Sequence, residues 1–178
     1  LTMGKKKHAA VAPALREREG ILQPIRDRLR DLVDEDAAAF DAVMDAYALP
    51  ASAPERAAGI ADGYARATRV PLEVMRLCLA ALEHGEAIAR EGTEGALSDA
   101  AVGALTLMTG LTGAAYNVRI NLAELRDEAL RAEAGQALAD LPDQRHRNEY
   151  GEQGRQQDCP ATRRGIGSKL HDSFSTVS

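Results

Sequence analysis

Between Leu29 and Tyr47 the apolar residues Leu29, Val33, Phe40, Val43 and Tyr47 recur at alternating four- and three-residue spacing, as on one face of a helix. Asp36 occupies the one remaining position of that series, where Leu or Ala is expected. Its acidic neighbours Asp31, Asp34, Glu35, Asp41 and Asp45 all fall away from the stripe. An ionised carboxylate on a packing face costs several kcal/mol unless it is paired, hydrogen-bonded or put to use. Asp36 is therefore the first candidate site residue.

The same periodicity predicts helices along most of the chain. Residues 5 to 48 read as helix, ended by Pro50, with a kink or break expected near Gln23–Pro24 because an interior proline costs about 3 kcal/mol. Ser52-Ala53-Pro54-Glu55 has the form of a capping box with proline in the first turn. The helix it opens is expected to reach Ala67, with Ile60 and Tyr64 on one face. Val70-Pro71 restarts the chain into a third helix that runs to Arg90 and closes at Gly92, with Met75, Cys78, Leu82 and Ala89 inward. Ser98 is expected to cap a long helix reaching Leu122, and a last one spans Arg126 to Leu141. No strand pattern of useful length occurs. The fold class is all-α, an antiparallel bundle of about five helices. Its domain is residues 1–141, followed by a disordered or anomalous tail, 142–178, rich in Gln, Arg, Gly and Ser.

Composition narrows the function classes. Aromatic residues are only 3 % of the 178, and the alanine- and leucine-rich remainder suits helices packed through small side chains. A formal charge of −5 argues against a general nucleic-acid binder, which needs a basic surface. No apolar run is long enough to span a membrane, and Cys78 and Cys159 offer no disulfide framework, so the expected compartment is the cytoplasm. His8, His84, His146 and His171 lack metal-ligand spacing. His84 reads as a surface residue of its helix.

The Ser98–Leu122 helix has two unlike sides. Asp99, Gly103, Thr106, Gly110, Gly113, Asn117 and Asn121 share one; Leu107, Met108, Leu111, Val118 and Leu122 share the other. Interior glycines cost about 1 kcal/mol each relative to alanine, so something is expected to need the space they leave. Close helix crossing and a ligand groove both explain them. The polar groups on the same face favour the groove, because such side chains do not line an apolar seam without partners.

Five segments taken together resemble a known family. Leu1-Thr2-Met3-Gly4-Lys5-Lys6-Lys7 looks like its Leu-Thr-x-Gly-Lys-Lys-Lys segment, and Asp36-Ala37-Ala38-Ala39-Phe40 like its Asp-x-x-Ala-Phe helix, followed by Leu49-Pro50. Val70-Pro71-Leu72, Ser98-Asp99 and Asn117-Val118-Arg119-Ile120-Asn121 complete the set in order. The chain, from Leu1 to about Leu141, resembles the cyclodeaminase family: the cyclodeaminase half of formiminotransferase-cyclodeaminase and the short bacterial methenyltetrahydrofolate cyclohydrolases. The resemblance implies an all-helical homodimer acting on a tetrahydrofolate-bound one-carbon unit, without metal or organic cofactor and without a nucleic-acid or membrane partner.

Within that resemblance Asp36 is the expected catalytic residue, with Lys5 beside it. Lys6, Lys7, Ser98, Asp99, Asn117 and Asn121 are the expected substrate contacts. Cyclohydrolase is the leading expectation, cyclodeaminase the alternative, and an inactive helical paralogue the reading from another class. The family's Pro-Gly-Gly-Gly-Ser segment and first helix do not precede Leu1, so the sequence reads as N-terminally truncated. Pro13, Gly20 and Pro24 also interrupt a helix that is smoother in the family, and the tail replaces its final helical extension.

Overall fold

A computed structural model describes Lys6 and residues 9–141; the helices below all belong to one compact unit. Five α-helices follow one another: α1 (Ala12–Ala48), α2 (Pro54–Glu83), α3 (Gly85–Glu91), α4 (Leu97–Asn121) and α5 (Glu128–Ala139), with a 3-10 turn at Glu94–Ala96. No strand occurs among the described residues. The all-α expectation holds.

α2 is the centre of the bundle, packed against α1 on one side and α4 on the other. Both neighbours run antiparallel to it. Gly63 and Gly59 of α2 lie against Val43 and Ala46 of α1, while Gly110 of α4 approaches Cys78 and Asn121 reaches Ala67. The core is drawn from all three: Leu32 from α1, Leu72 and Met75 from α2, Leu111 and Val118 from α4 are almost wholly buried. Thr68 is buried with them, and its hydroxyl donates to the Tyr64 carbonyl at 2.7 Å, which satisfies it inside the helix. α5 adds Leu130 and Ala134 to this core and is tied to α2 by Arg69–Asp127 (3.0 Å) and Arg76–Glu133 (2.5 Å) pairs.

Several element boundaries differ from the sequence expectation, each for a local reason. α1 begins at Ala12 rather than residue 5, with Pro13 in its first turn, where a missing N–H costs nothing. It passes Pro24 without a break. The carbonyl that Pro24 deprives of a partner is that of Gly20, at an exposed position where water can serve it. The two helices expected on either side of Val70-Pro71 are one, since α2 continues through a buried Pro71 to Glu83. The interruption comes instead at His84, half-buried at the α2–α3 junction. Gly92 does close α3, its N–H bonding the Ile88 carbonyl at 2.9 Å in an extended conformation.

The capping assignments at Ser52 and Ser98 are also corrected. Ala53 and Ala96 hold the N-cap positions, and neither makes a side-chain cap bond. Ser98 lies within the first turn of α4, beside Asp99. The N-cap with a side-chain bond is Asp127, whose carboxylate accepts the Leu130 N–H at 3.0 Å.

The buried face of α1 is rotated from the expected stripe. Leu32, Ala39, Val43 and Ala46 are buried, whereas Val33 (67 % exposed), Phe40 (62 %), Met44 and Tyr47 are exposed. Asp36 is exposed with them. Small residues explain the rotation: Gly63 and Gly59 of α2 lie against Val43 and Ala46, so the close approach is made there and Phe40, Met44 and Tyr47 are left outside it.

Candidate functional site

Because α1 and α4 flank the same helix, a groove runs between them with α2 as its floor. Its central part, about 300 Å³, is lined by Leu32, Val33 and Asp36 of α1, Val70, Pro71 and Val74 of α2, and Gly110, Ala114 and Asn117 of α4. It adjoins a cavity of about 500 Å³ toward the C-terminal ends of α1 and α4. Asp36 and Asn117 line both. Phe40, Met44 and Ile120 give the larger cavity its apolar wall, and Tyr47, Tyr64, Asn121 and Glu124 add polar groups.

Asp36 reaches this site because it follows Val33 by three residues and precedes Phe40 by four, on the face of α1 turned from α2 toward α4. Asn117 and Asn121 lie one turn apart on α4. Asn121 is partly committed to the fold: its Nδ2 donates to the Ala67 carbonyl at 2.6 Å. The neighbouring Tyr47 hydroxyl, with partial burial and the charge of Glu124, pushes the Tyr64 phenol up to about 12. The Arg56 guanidinium lies over the Tyr47 ring, 5.9 Å from its centroid. Among the described residues lining the cavity, the charged ones are Asp36 and Glu124. The site is thus anionic, part apolar and supplied with side-chain amides. It suits a flat ligand bearing positive charge and ring nitrogens.

The expected site residues do not all gather here. Asp36, Asn117 and Asn121 do. Ser98 and Asp99 lie at the other end of α4, roughly 27 Å from Asn117 at 1.5 Å per residue. Asp99 lines a separate cavity of about 530 Å³ with Leu15, Arg18, Leu22 and Ile88. Lys6 is exposed, while Lys5, Lys7 and His8 lie outside the described residues, as do Cys159, His146, His171 and the tail. Among the described residues no group of three His, Cys, Asp or Glu side chains could hold a metal ion.

Of the two explanations for the α4 glycines, close helix crossing does not hold. A Cβ at Gly103 or Gly113 would meet nothing within 4 Å, and one at Gly110 only Cys78 Sγ at 3.4 Å. The glycines that permit close helix crossing are on α2. Tyr47, Tyr64 and Glu124 were not anticipated as site residues. The tyrosines satisfied the apolar spacing, yet a hydroxyl at such a position is itself a signal of a polar neighbour. Glu124 follows α4 in a turn and carries no periodic signal.

A protein whose described elements are all helical, with an acidic, amide-lined groove between three helices, is the class defined so far. The chain belongs to the formiminotransferase-cyclodeaminase family, whose profile matches residues 1–140. It is 37 % identical over 145 residues to a methenyltetrahydrofolate cyclohydrolase of Methylorubrum extorquens, covering 79 % of this chain and 70 % of that protein. It is 32 % identical over 145 residues to the formimidoyltransferase-cyclodeaminase of Sus scrofa, again over 79 % of this chain but only 27 % of the relative. The chicken (Gallus gallus) enzyme of the same name is 30 % identical over 145 residues and likewise covered for 27 % of its length.

Proposed function

We propose that this protein is a methenyltetrahydrofolate cyclohydrolase with Asp36 as its general base and acid. The observation that carries the reading is the shared cavity of Asp36, Asn117 and Glu124, acidic and unopposed by a lining cation, in a chain whose similarity to a protein of that name extends over most of both. The substrate's methenyl carbon lies between two nitrogens and bears delocalised positive charge. Two carboxylates in a partly apolar cavity stabilise that cation.

The reaction needs a proton moved twice. Water adds through oxygen to the methenyl carbon while Asp36 accepts its proton, giving a tetrahedral carbon bonded to hydroxyl and both nitrogens. Asp36 then returns the proton to one nitrogen; that C–N bond breaks, the hydroxyl proton is lost to solvent, and the carbon becomes a formyl group on the other nitrogen. A positioned carboxylate typically contributes 10²–10⁴-fold in such transfers. Asn117 binds ring heteroatoms, and the lysines Lys5, Lys6 and Lys7 meet the substrate's anionic glutamate end. Ser98 and Asp99 serve substrate in this reading only from a second copy's position. No metal or organic cofactor takes part, and neither nucleic acid nor membrane is a partner of this cytoplasmic enzyme.

The exposed apolar residues beside the cavity support a homodimer. Val33, Phe40, Leu105, Tyr116 and Ile120 are each 60 % exposed or more, and α4 carries no charged side chain between Ala100 and Val118. A second copy covering these faces removes an apolar patch that a lone chain leaves in water.

The similarity to formimidoyltransferase-cyclodeaminases favours one second reading, ring closure of formiminotetrahydrofolate with loss of ammonia. Incubation with methenyltetrahydrofolate and, separately, formiminotetrahydrofolate tests both. Loss of the methenyl absorbance supports cyclohydrolase; ammonia release supports cyclodeaminase; neither signal sinks both and leaves the inactive helical paralogue.

A further inference from the structure

Pro71 is buried in the middle of α2, yet the helix runs through it from Pro54 to Glu83. Proline has no N–H, so the carbonyl four residues earlier, that of Ala67, loses its helical partner. A buried or half-buried carbonyl left so costs the full penalty of an unmade bond. Here the deficit is met from another helix: Asn121, the last residue of α4, donates its Nδ2–H to Ala67 O at 2.6 Å across 54 residues of sequence. Ala67 and Asn121 both line the larger cavity, and Asn117 stands one turn back on the same helix.

We propose that Asn121 is a positioning residue, whose side chain replaces the backbone donor that Pro71 lacks and thereby locks the C-terminal end of α4, with Asn117, onto α2 beside Asp36. Pro24 offers the contrast. The carbonyl it orphans is at exposed Gly20, and no side chain among the described residues is recruited to it. At Pro71 the missing donor becomes a socket that accepts one amide in one register. The bond itself is independent of the proposed cyclohydrolase reaction; its consequence for turnover rests on that reading.

A double-mutant cycle between Asn121→Ala and Pro71→Ala tests this, read by urea unfolding and by turnover of methenyltetrahydrofolate. Asn121→Ala alone should raise the unfolding equilibrium constant about tenfold, the usual scale for orphaning a buried acceptor, and lower kcat about tenfold with KM within about twofold. In the Pro71→Ala background, residue 71 regains an N–H for Ala67 O, so the same change should cost less than about twofold in both readouts. Equal stability losses in the two backgrounds overturn the bond's assigned role. A coupled stability loss with equal losses of turnover overturns the positioning role and makes Asn121 a direct substrate contact. If Asn121→Ala fails to fold, rescue by Pro71→Ala supports the proposal and failure in both backgrounds refutes it. Absence of turnover in the unaltered protein counts against the cyclohydrolase reading, while the unfolding cycle still decides the bond.

Discussion

Gly63 and Val43 meet at the tightest point of the α1–α2 crossing: a Cβ on Gly63 would lie 2.8 Å from Val43 Cγ2, 3.1 Å from its Cα and 3.2 Å from its N. The nearest obstacle is the Val43 side chain, and turning it leaves the Val43 backbone atoms at 3.1 and 3.2 Å, which cannot swing aside. Gly63→Ala is expected to lose up to about 2 kcal/mol of stability, roughly 1–3 from overpacking less about 1 returned by alanine's helix propensity. Gly113→Ala, into open space on α4, should be neutral to stabilising in the same urea titration. If Gly63→Ala unfolds no earlier than Gly113→Ala, the crossing is looser than described.

Asp36→Asn keeps the side chain's size and one acceptor oxygen and removes its ability to carry the proton. The variant should fold with an unchanged circular dichroism spectrum and lose roughly 100-fold or more in kcat. Activity within tenfold of the parent would show that another group, Glu124 first, moves the proton.

The paired tyrosines make a pH-dependent prediction. The Tyr64 phenol is raised in the folded protein to about 12 by the neighbouring Tyr47 hydroxyl and partial burial. Its neutral form is therefore favoured by folding. The resulting stability is fully present below the ordinary tyrosine value of about 10 and falls away as pH rises toward the folded value. Tyr47→Phe should bring Tyr64 ionisation down, visible as phenolate absorbance at lower pH than in the parent. No change would mean that the hydroxyls do not interact.

At the acid end the relevant group is Glu35. Arg28 forks between Glu73 of α2, with bonds of 2.7 and 2.8 Å, and Glu35 of α1. Its guanidinium holds the Glu35 carboxyl below the usual glutamate range. A depressed carboxylate adds stability above its unfolded value, about 4.3, and loses it as pH falls through the folded one. The melting temperatures of the parent and of Glu35→Gln should therefore differ at neutral pH and converge in acid. Because the pair is exposed, added salt should narrow the neutral-pH difference as well.

Cys78 is buried against α4, and burial pushes its thiol up. A thiol reagent should leave it unmodified in the native protein and label it once urea unfolds the chain. Rapid native labelling at Cys78 would indicate that α4 opens readily from α2.

The helices were legible in the sequence because apolar periodicity over long stretches outweighs single residues. Where single residues decide, the reading failed. Pro71 looked like a restart because proline's missing donor is local, while the amide that compensates for it is 54 residues away. Spacing assigns the burial of α1 to its large residues, since it cannot reveal that Val43 and Ala46 face a pair of glycines. Asp36 stands out as a charge within an apolar stripe, of which Val33, Phe40 and Tyr47 are exposed and Val43 is buried. The anomaly was real, and its setting was a groove wall rather than a core. Asn117 and Asn121 are recognisable as a polar helix face, but helix length alone places Asp99 roughly 27 Å from Asn117 and roughly 33 Å from Asn121.

The groove's walls carry one more consequence. Phe40, Met44 and Ile120 form the apolar side of the cavity and are also more than half exposed on this chain. Anything that packs over their outer surfaces alters the same side chains that a ligand touches from within. The two equilibria are then linked, and the factor by which an occupant of that surface changes ligand affinity is the factor by which the ligand changes the occupant's. Titrating ligand at several protein concentrations therefore reports on the outer surface without any label placed there.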